Sequence, residues 1–124
     1  MNRKDFIMNT TIKALVVWVD GSTSYQKVVK DRTYLEIEQM LEGNVDCLEI
    51  GREALIFFND SGASRGLPFN EVATEIAREL CCDVGEGLYG NVVITGLEDE
   101  YGYQDSVPES LAEDIITISE MRCV

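Results

Sequence analysis

Binding or catalysis needs fixed charges, proton carriers or free backbone donors brought within reach of one another. The most distinctive such string here is Arg65-Gly66-Leu67-Pro68-Phe69-Asn70, where an apolar run stops and a helix begins. Pro68 holds Leu67 out of helical conformation. Asn70 is a strong N-cap, worth about 1 kcal/mol over Ala, and Glu71 follows where the helix dipole favours an anion. The unpaired amides at such a helix start can hold an anion, with Arg65 beside them. Arg65, Gly66 and Asn70 are therefore the candidate ligand-binding residues. Asn70 and Glu71 compete for the same position electrostatically, so the string reads first as a strand-to-helix corner and second as a site.

Catalytic chemistry is thinly supplied. The chain has no His, the commonest acid, base and metal ligand near neutral pH. Its four cysteines, Cys47, Cys81, Cys82 and Cys123, lack the spacing of a disulfide framework or a zinc site. None stands beside an evident base, so they read as reduced and structural, with some redox sensitivity left to the adjacent pair. Gly85, Gly87 and Gly90 precede a strand rather than a helix, and no Gly-Lys-Ser or Gly-Lys-Thr occurs. They read as turn glycines. No catalytic residue, metal ligand or cofactor is expected, and the protein is not expected to be an enzyme.

Charge carries the other signal. With 23 acidic and 10 basic residues in 124, the net charge is −13. Residues 1–30 hold five basic against two acidic residues, a local +3, which leaves −16 for the rest. That field repels phosphate backbones and anionic membranes and speeds encounter with a basic protein. Glu71, Glu75 and Glu79, at i, i+4 and i+8, must share a helix face. With Glu98, Asp99, Glu100, Asp105, Glu109, Glu113 and Asp114 they form a candidate acidic interaction surface. Its bland reading is a solvated, solubility-promoting face. Its functional reading is mimicry of DNA, with carboxylates standing in for phosphates.

The elements that must position these groups follow from pattern. Residues 12–20, 24–30, 45–50, 54–59 and 91–96 read as strands, the first buried on both faces. Asp20-Gly21 supplies the first hairpin turn. Helices are expected at 34–42, capped by Asp31 or Thr33 and stopped by Gly43, and at 71–82. Ser110-Leu111-Ala112-Glu113 reads as a capping box for a last helix to Ser119. The order is β-β-α-β-β-α-β-α, giving a single α+β domain whose mainly antiparallel five-stranded sheet is backed by the two inner helices. Residues 1–11 read as a flexible tail, 12–96 as the core, and 97–124 as an acidic loop and helix packed on or beside it. No apolar run is long enough to span a bilayer and no signal-peptide core follows Arg3 and Lys4. A cytoplasmic location is expected.

With these elements placed, the chain resembles the DUF3846 domain family, found mainly in phages, plasmids and conjugative elements. The likeness runs through Lys13-Ala14-Leu15-Val16-Val17 with Asp20-Gly21, then residues 37–50 with Gly43 and Glu49, and the apolar strand 55–59. It continues through Gly66-Leu67-Pro68-Phe69-Asn70 with Ala73 and Ala77 to Gly90, which opens the last strand, and is spread over about residues 12–96. Asn91 departs from the pattern, in which Asp commonly follows that glycine. The resemblance implies a mobile-element origin and a compact α+β fold, and no activity. The expectation is a small acidic accessory protein that binds another protein, possessing neither nucleic-acid nor membrane affinity. Two alternatives stand beside it: a DNA mimic binding a basic nucleic-acid-binding partner, and a small anionic ligand at the Asn70 helix start.

Overall fold

The computed structural model of the protein describes residues 10–80 and 84–122. Its strands are β1 (Thr11–Val17), β2 (Thr23–Val29), β3 (Val45–Ile50), β4 (Ala54–Asn59) and β5 (Val92–Gly96). Its α-helices are α1 (Thr33–Leu41), α2 (Glu71–Leu80) and α3 (Glu109–Arg122). The order matches the expectation, and all pairings are antiparallel in one sheet of order β2-β1-β5-β4-β3.

Because successive strand residues point to opposite faces, the near-continuous apolar runs of β1, β4 and β5 furnish two cores. Leu15, Val17, Ile56, Val92 and Ile94 pack with Val72, Ile76, Leu111 and Ile115 of α2 and α3. Ile12, Ala14, Val16, Phe57 and Val93 pack with Ile37 and Leu41 of α1. The two inner helices lie on opposite faces of the sheet, since each side of the central strands is apolar and must be covered. The last helix completes the α2 layer. Ile76 and Ile115, both fully buried, contribute roughly 2 kcal/mol each by removal from water.

Several local expectations change. The first strand ends at Val17, and Trp18 and Val19 stand in the turn, each 38% exposed. A 3-10 turn (Lys30–Arg32) precedes α1, whose start has no side-chain cap. The Thr33 hydroxyl donates back to the Lys30 carbonyl at 3.0 Å instead of accepting from the helix. Glu42, not Gly43, takes the left-handed conformation that ends α1, at φ 59°. Its N–H donates to Gln39 and that of Gly43 to Glu38, the paired bonds of a Schellman motif. The Ser110 capping box does not form. Ala112 N–H donates to the Pro108 carbonyl at 2.9 Å, so α3 opens earlier and Ser110 lies within its first turn. Val107, bonded through its N–H to Lys13 at 2.9 Å, fixes where the chain turns.

Between β5 and α3 the acidic segment folds back on itself. Gly96 N–H donates to Asp105, and Asp99 N–H to Tyr103, each at 2.8 Å. A Cβ on Gly96 would lie 2.5 Å from the Ser106 carbonyl oxygen, so only glycine admits this return. Cys81, Cys82, Cys123 and residues 1–9 of the expected tail lie outside the described residues, whereas Thr11 opens β1 opposite Val29 and Thr10 accepts the Lys30 N–H at 2.8 Å, so the sheet takes up the end of that tail.

Candidate functional site

The strings that carry the family resemblance converge at one end of the sheet. There β1 runs into the Trp18 turn, β4 ends at Asn59, β5 begins after Gly90, α1 ends and α2 starts. Residues 68–70 pair with 88–90: Asn70 N–H donates to Leu88 at 2.8 Å and Gly90 N–H to Pro68 at 2.7 Å. The Phe69 and Tyr89 rings meet edge to face at 5.4 Å. Gly85, Gly87 and Gly90 all adopt positive φ, in keeping with turn chemistry.

Asn70 is fully buried. Its Oδ1 accepts Ala73 N–H at 3.0 Å, the bond of an N-cap, while Nδ2 donates to Val17 at 3.0 Å and to Gly90 at 2.9 Å. Both amide protons are spent on backbone carbonyls. Arg65 reaches away from that helix start to the end of α1, where Nη1 donates to the Glu42 carbonyl at 2.5 Å. There a cation suits the negative end of the helix dipole. Asn59 Nδ2 donates to the neighbouring Leu41 carbonyl at 2.9 Å. Gly66 is exposed at φ +73°. Of the three candidate ligand residues, then, one is a buried staple, one caps a helix end, and one shapes the turn.

Asn91 accepts the Val19 N–H on Oδ1 at 2.9 Å, a role that needs an acceptor and is open to Asp or Asn alike. Asp20 accepts from both the hydroxyl and the N–H of Ser22, and the hydroxyl bond above all holds its carboxyl below the ordinary 3.8.

Clefts surround this corner. One of about 210 Å³ is lined by Val16, Trp18, Gln26, Met40, Leu41 and Asn91. Beside it, a cleft of about 130 Å³ adds Val19, Glu42, Leu67 and Pro68. Toward α2, Val19, Asp20, Gly21, Glu71 and Arg122 line about 280 Å³. The largest, about 500 Å³, lies along α2 and is bordered by Phe69, Glu71, Glu75, Glu79 and Arg122. Trp18, Val19 and Phe69 are apolar groups exposed along this series. The sequence pattern places Trp18 inside a strand. Its place directly before a Val-Asp-Gly turn was the available clue.

Some of the candidate acids are paired within the chain and others are exposed. Glu71, Glu75 and Glu79 do share a face of α2, where Glu75 pairs with Arg122 and its Oε2 is buried with no partner among the described residues. Asp99 and Asp105 flank Lys30 at 2.8 and 3.1 Å. The hydrogen bond from Lys30 draws Asp99 below its ordinary value, and the reciprocal bond raises Lys30. Glu98 faces Gln104 at 3.4 Å. Glu100, Glu109, Glu113 and Asp114 are exposed. Cys47 is a free cysteine whose thiol is pushed up by burial and then by Asp46. Among the described residues, no His, Cys, Asp or Glu cluster is arranged to hold a metal, and no helix is long and apolar enough to cross a membrane.

Comparison with curated proteins and with solved structures returns no match. A family model does match, over residues 12–120, and so beyond β5 through most of α3. The chain belongs to the family described as Domain of unknown function (DUF3846).

Proposed function

We propose that this protein is a non-catalytic accessory protein of a phage or related mobile element, and that it works by holding another protein at the Trp18–Phe69 end of its sheet. One observation carries the reading. The polar side chains at this end, Asn59, Asn70, Asn91 and Arg65, are committed to backbone groups. The apolar Trp18, Val19 and Phe69 are 38 to 44% exposed. An apolar centre of aromatic residues within a polar rim is the anatomy of a protein contact. Here the rim is anionic, with Asp20, Glu42 and Glu71 bordering the clefts, and it suits a partner with basic residues around an apolar contact.

Mimicry of nucleic acid is the second reading. Glu109, Glu113 and Asp114 favour it, being exposed on α3 and outside the ion pairs of the described residues. The pairing of Glu75, Asp99 and Asp105 weakens it, because those carboxylates are partly neutralised within the chain.

Site-specific photo-crosslinking in the producing cell separates the two. A crosslinker at Trp18 or at Phe69 should capture the same protein, and one at Arg52, in the turn at the far end of the sheet, should not. Capture from Glu113 with none from Trp18 or Phe69 would overturn the sheet-end reading in favour of mimicry. No adduct from any of these positions would overturn both.

A further inference from the structure

The two edges of the sheet are finished differently. In an antiparallel ladder, residues alternate between exchanging both backbone bonds with the neighbour and turning both outward. Trp18 N–H donates to Ser22 and Lys30 N–H to Thr10, at 2.9 and 2.8 Å, so the even-numbered residues of β2 face β1. Thr23, Tyr25, Lys27 and Val29 therefore turn their N–H and C=O groups outward. Glu36 of α1 closes the end of that row by accepting Val29 N–H at 2.6 Å. On β3, Asp60 N–H donates to Asn44, so Val45, Cys47 and Glu49 turn outward. There the middle donor is closed, Cys47 N–H bonding the Asp46 carboxylate at 2.8 Å. Exposed edges invite pairing and are usually blunted. β3 is blunted at its centre, whereas among the described residues β2 is left open from Thr23 to Lys27.

Side chains flanking the open edge add chemistry. The register sets Lys13 directly opposite Lys27, with Lys13 Nζ 4.5 Å over the Tyr25 ring. Both lysines are exposed, and neither is in an ion pair among the described residues. Like charges directly opposite one another are unfavourable, and on a chain of net charge −13 two unpaired lysines side by side form a local site for carboxylate. Repulsion from more distant acids is screened beyond about 8 Å at physiological salt. On the other face of β2, a cleft of about 240 Å³ opens between Gln26, Val28, Glu36, Gln39 and Met40.

We propose that β2 accepts an extended segment of a partner protein as a sixth strand, paired through Thr23, Tyr25 and Lys27. Acidic side chains of that segment lie over Lys13 and Lys27, and the apolar ones between them enter the Met40 cleft. This surface adjoins the sheet end, sharing Gln26 and Met40 with the Trp18 cleft, and strand addition of this kind derives affinity from main-chain bonds and specificity from alternate side chains.

A capped peptide of alternating Glu and Val is the probe, added to the full ¹⁵N-labelled chain. Amide exchange at Thr23, Tyr25 and Lys27 should slow by at least about tenfold, with Ser24 and Gln26 little changed. The same peptide N-methylated at alternate residues should give no protection, and a Lys-Val peptide should fail. The double variant Lys13→Gln, Lys27→Gln should weaken binding by about tenfold with the dispersion of the spectrum intact. Absence of protection at the three odd-numbered amides would overturn the proposal, as would equal binding of the N-methylated peptide. Protection that rises with protein concentration in the absence of peptide would assign the edge to a second copy instead. None of these outcomes bears on capture from Trp18 or Phe69, so the two readings fail separately.

Discussion

The side-chain amide of Asn70 reaches the carbonyl of Val17, 53 residues earlier, at 3.0 Å. Its second proton serves Gly90 and its oxygen caps α2, so one buried side chain ties the end of β1, the entry to β5 and a helix start. Asn70→Ala removes both amide bonds and leaves the Ala73 N–H uncapped inside the fold, and a loss of about 3 kcal/mol is expected. Asn70→Asp keeps the cap but faces a carboxylate to two carbonyls. Its folded-state pKa should rise above the unfolded value, so the variant's stability relative to the parent is greatest below about pH 3.9 and falls as pH rises. Urea unfolding of both variants across that range is the check. An Asp variant as stable as the parent at neutral pH would refute the bonding scheme.

Lys30 joins the 3-10 turn after β2 to the acidic return loop, through Asp99 and Asp105. Asp99 is drawn below 3.8, chiefly by the Lys30 hydrogen bond. A depressed carboxyl contributes stability that is present above its unfolded value and is lost as pH falls through the folded one. Lys30 is raised above 10.5, chiefly by the bond to Asp99, so its contribution is full below 10.5 and is lost as pH rises through the raised value. Lys30→Met should therefore be destabilising across the neutral range, with the difference from the parent shrinking at both extremes. Denaturant midpoints measured against pH give the curve, and a difference independent of pH would remove the ion pair from the account.

Local pattern was enough for elements whose limits are set locally. The bounds of β3 and β4 coincide with the sequence reading because Gly51 and the Asn59-Asp60-Ser61 turn end their apolar runs, and α2 begins where Asn70 requires. Periodicity also placed Glu71, Glu75 and Glu79 on one face. What local pattern lacks is the distant partner. Arg65 answers a carbonyl 23 residues away and Asn70 one 53 away, so a polar string that resembled a ligand site is consumed by the fold. Strand order and the division of the inner helices between faces depend on equally remote pairings. The runs of β1, β4 and β5, apolar on both sides, do not say which helix takes which face.

The end of α1 is strained in a way that substitution can relieve. Glu42 holds φ 59° and puts an anion at the negative end of a helix dipole, with no basic residue in the last turn of α1. Glu42→Gly removes both penalties, and a gain of roughly 0.5–1 kcal/mol is expected from thermal or urea unfolding. Arg65→Ala, which removes the cation that bonds the Glu42 carbonyl, should cost about 1 kcal/mol. Opposite signs for the two variants would show that Arg65 is a helix cap, and no loss on removing Arg65 would return it to the list of free cations.

Asn91 tests whether scaffold and contact can be separated at the sheet end. Its Oδ1 accepts the Val19 N–H, and it borders both clefts that flank Met40 and Leu41. A carboxylate accepts that bond at least as well, so Asn91→Asp should change stability by no more than about 0.5 kcal/mol. Asn91→Leu, which cannot accept, should cost about 1 kcal/mol. The Asp variant then alters the charge beside Trp18 while the fold stays constant. If the sheet end meets a partner with a basic rim, Asn91→Asp should tighten the contact, and more so at low salt, because a charge at the rim acts mainly through electrostatic attraction. A partner that binds the parent and the Asp variant equally at every salt concentration would place the contact elsewhere on the molecule.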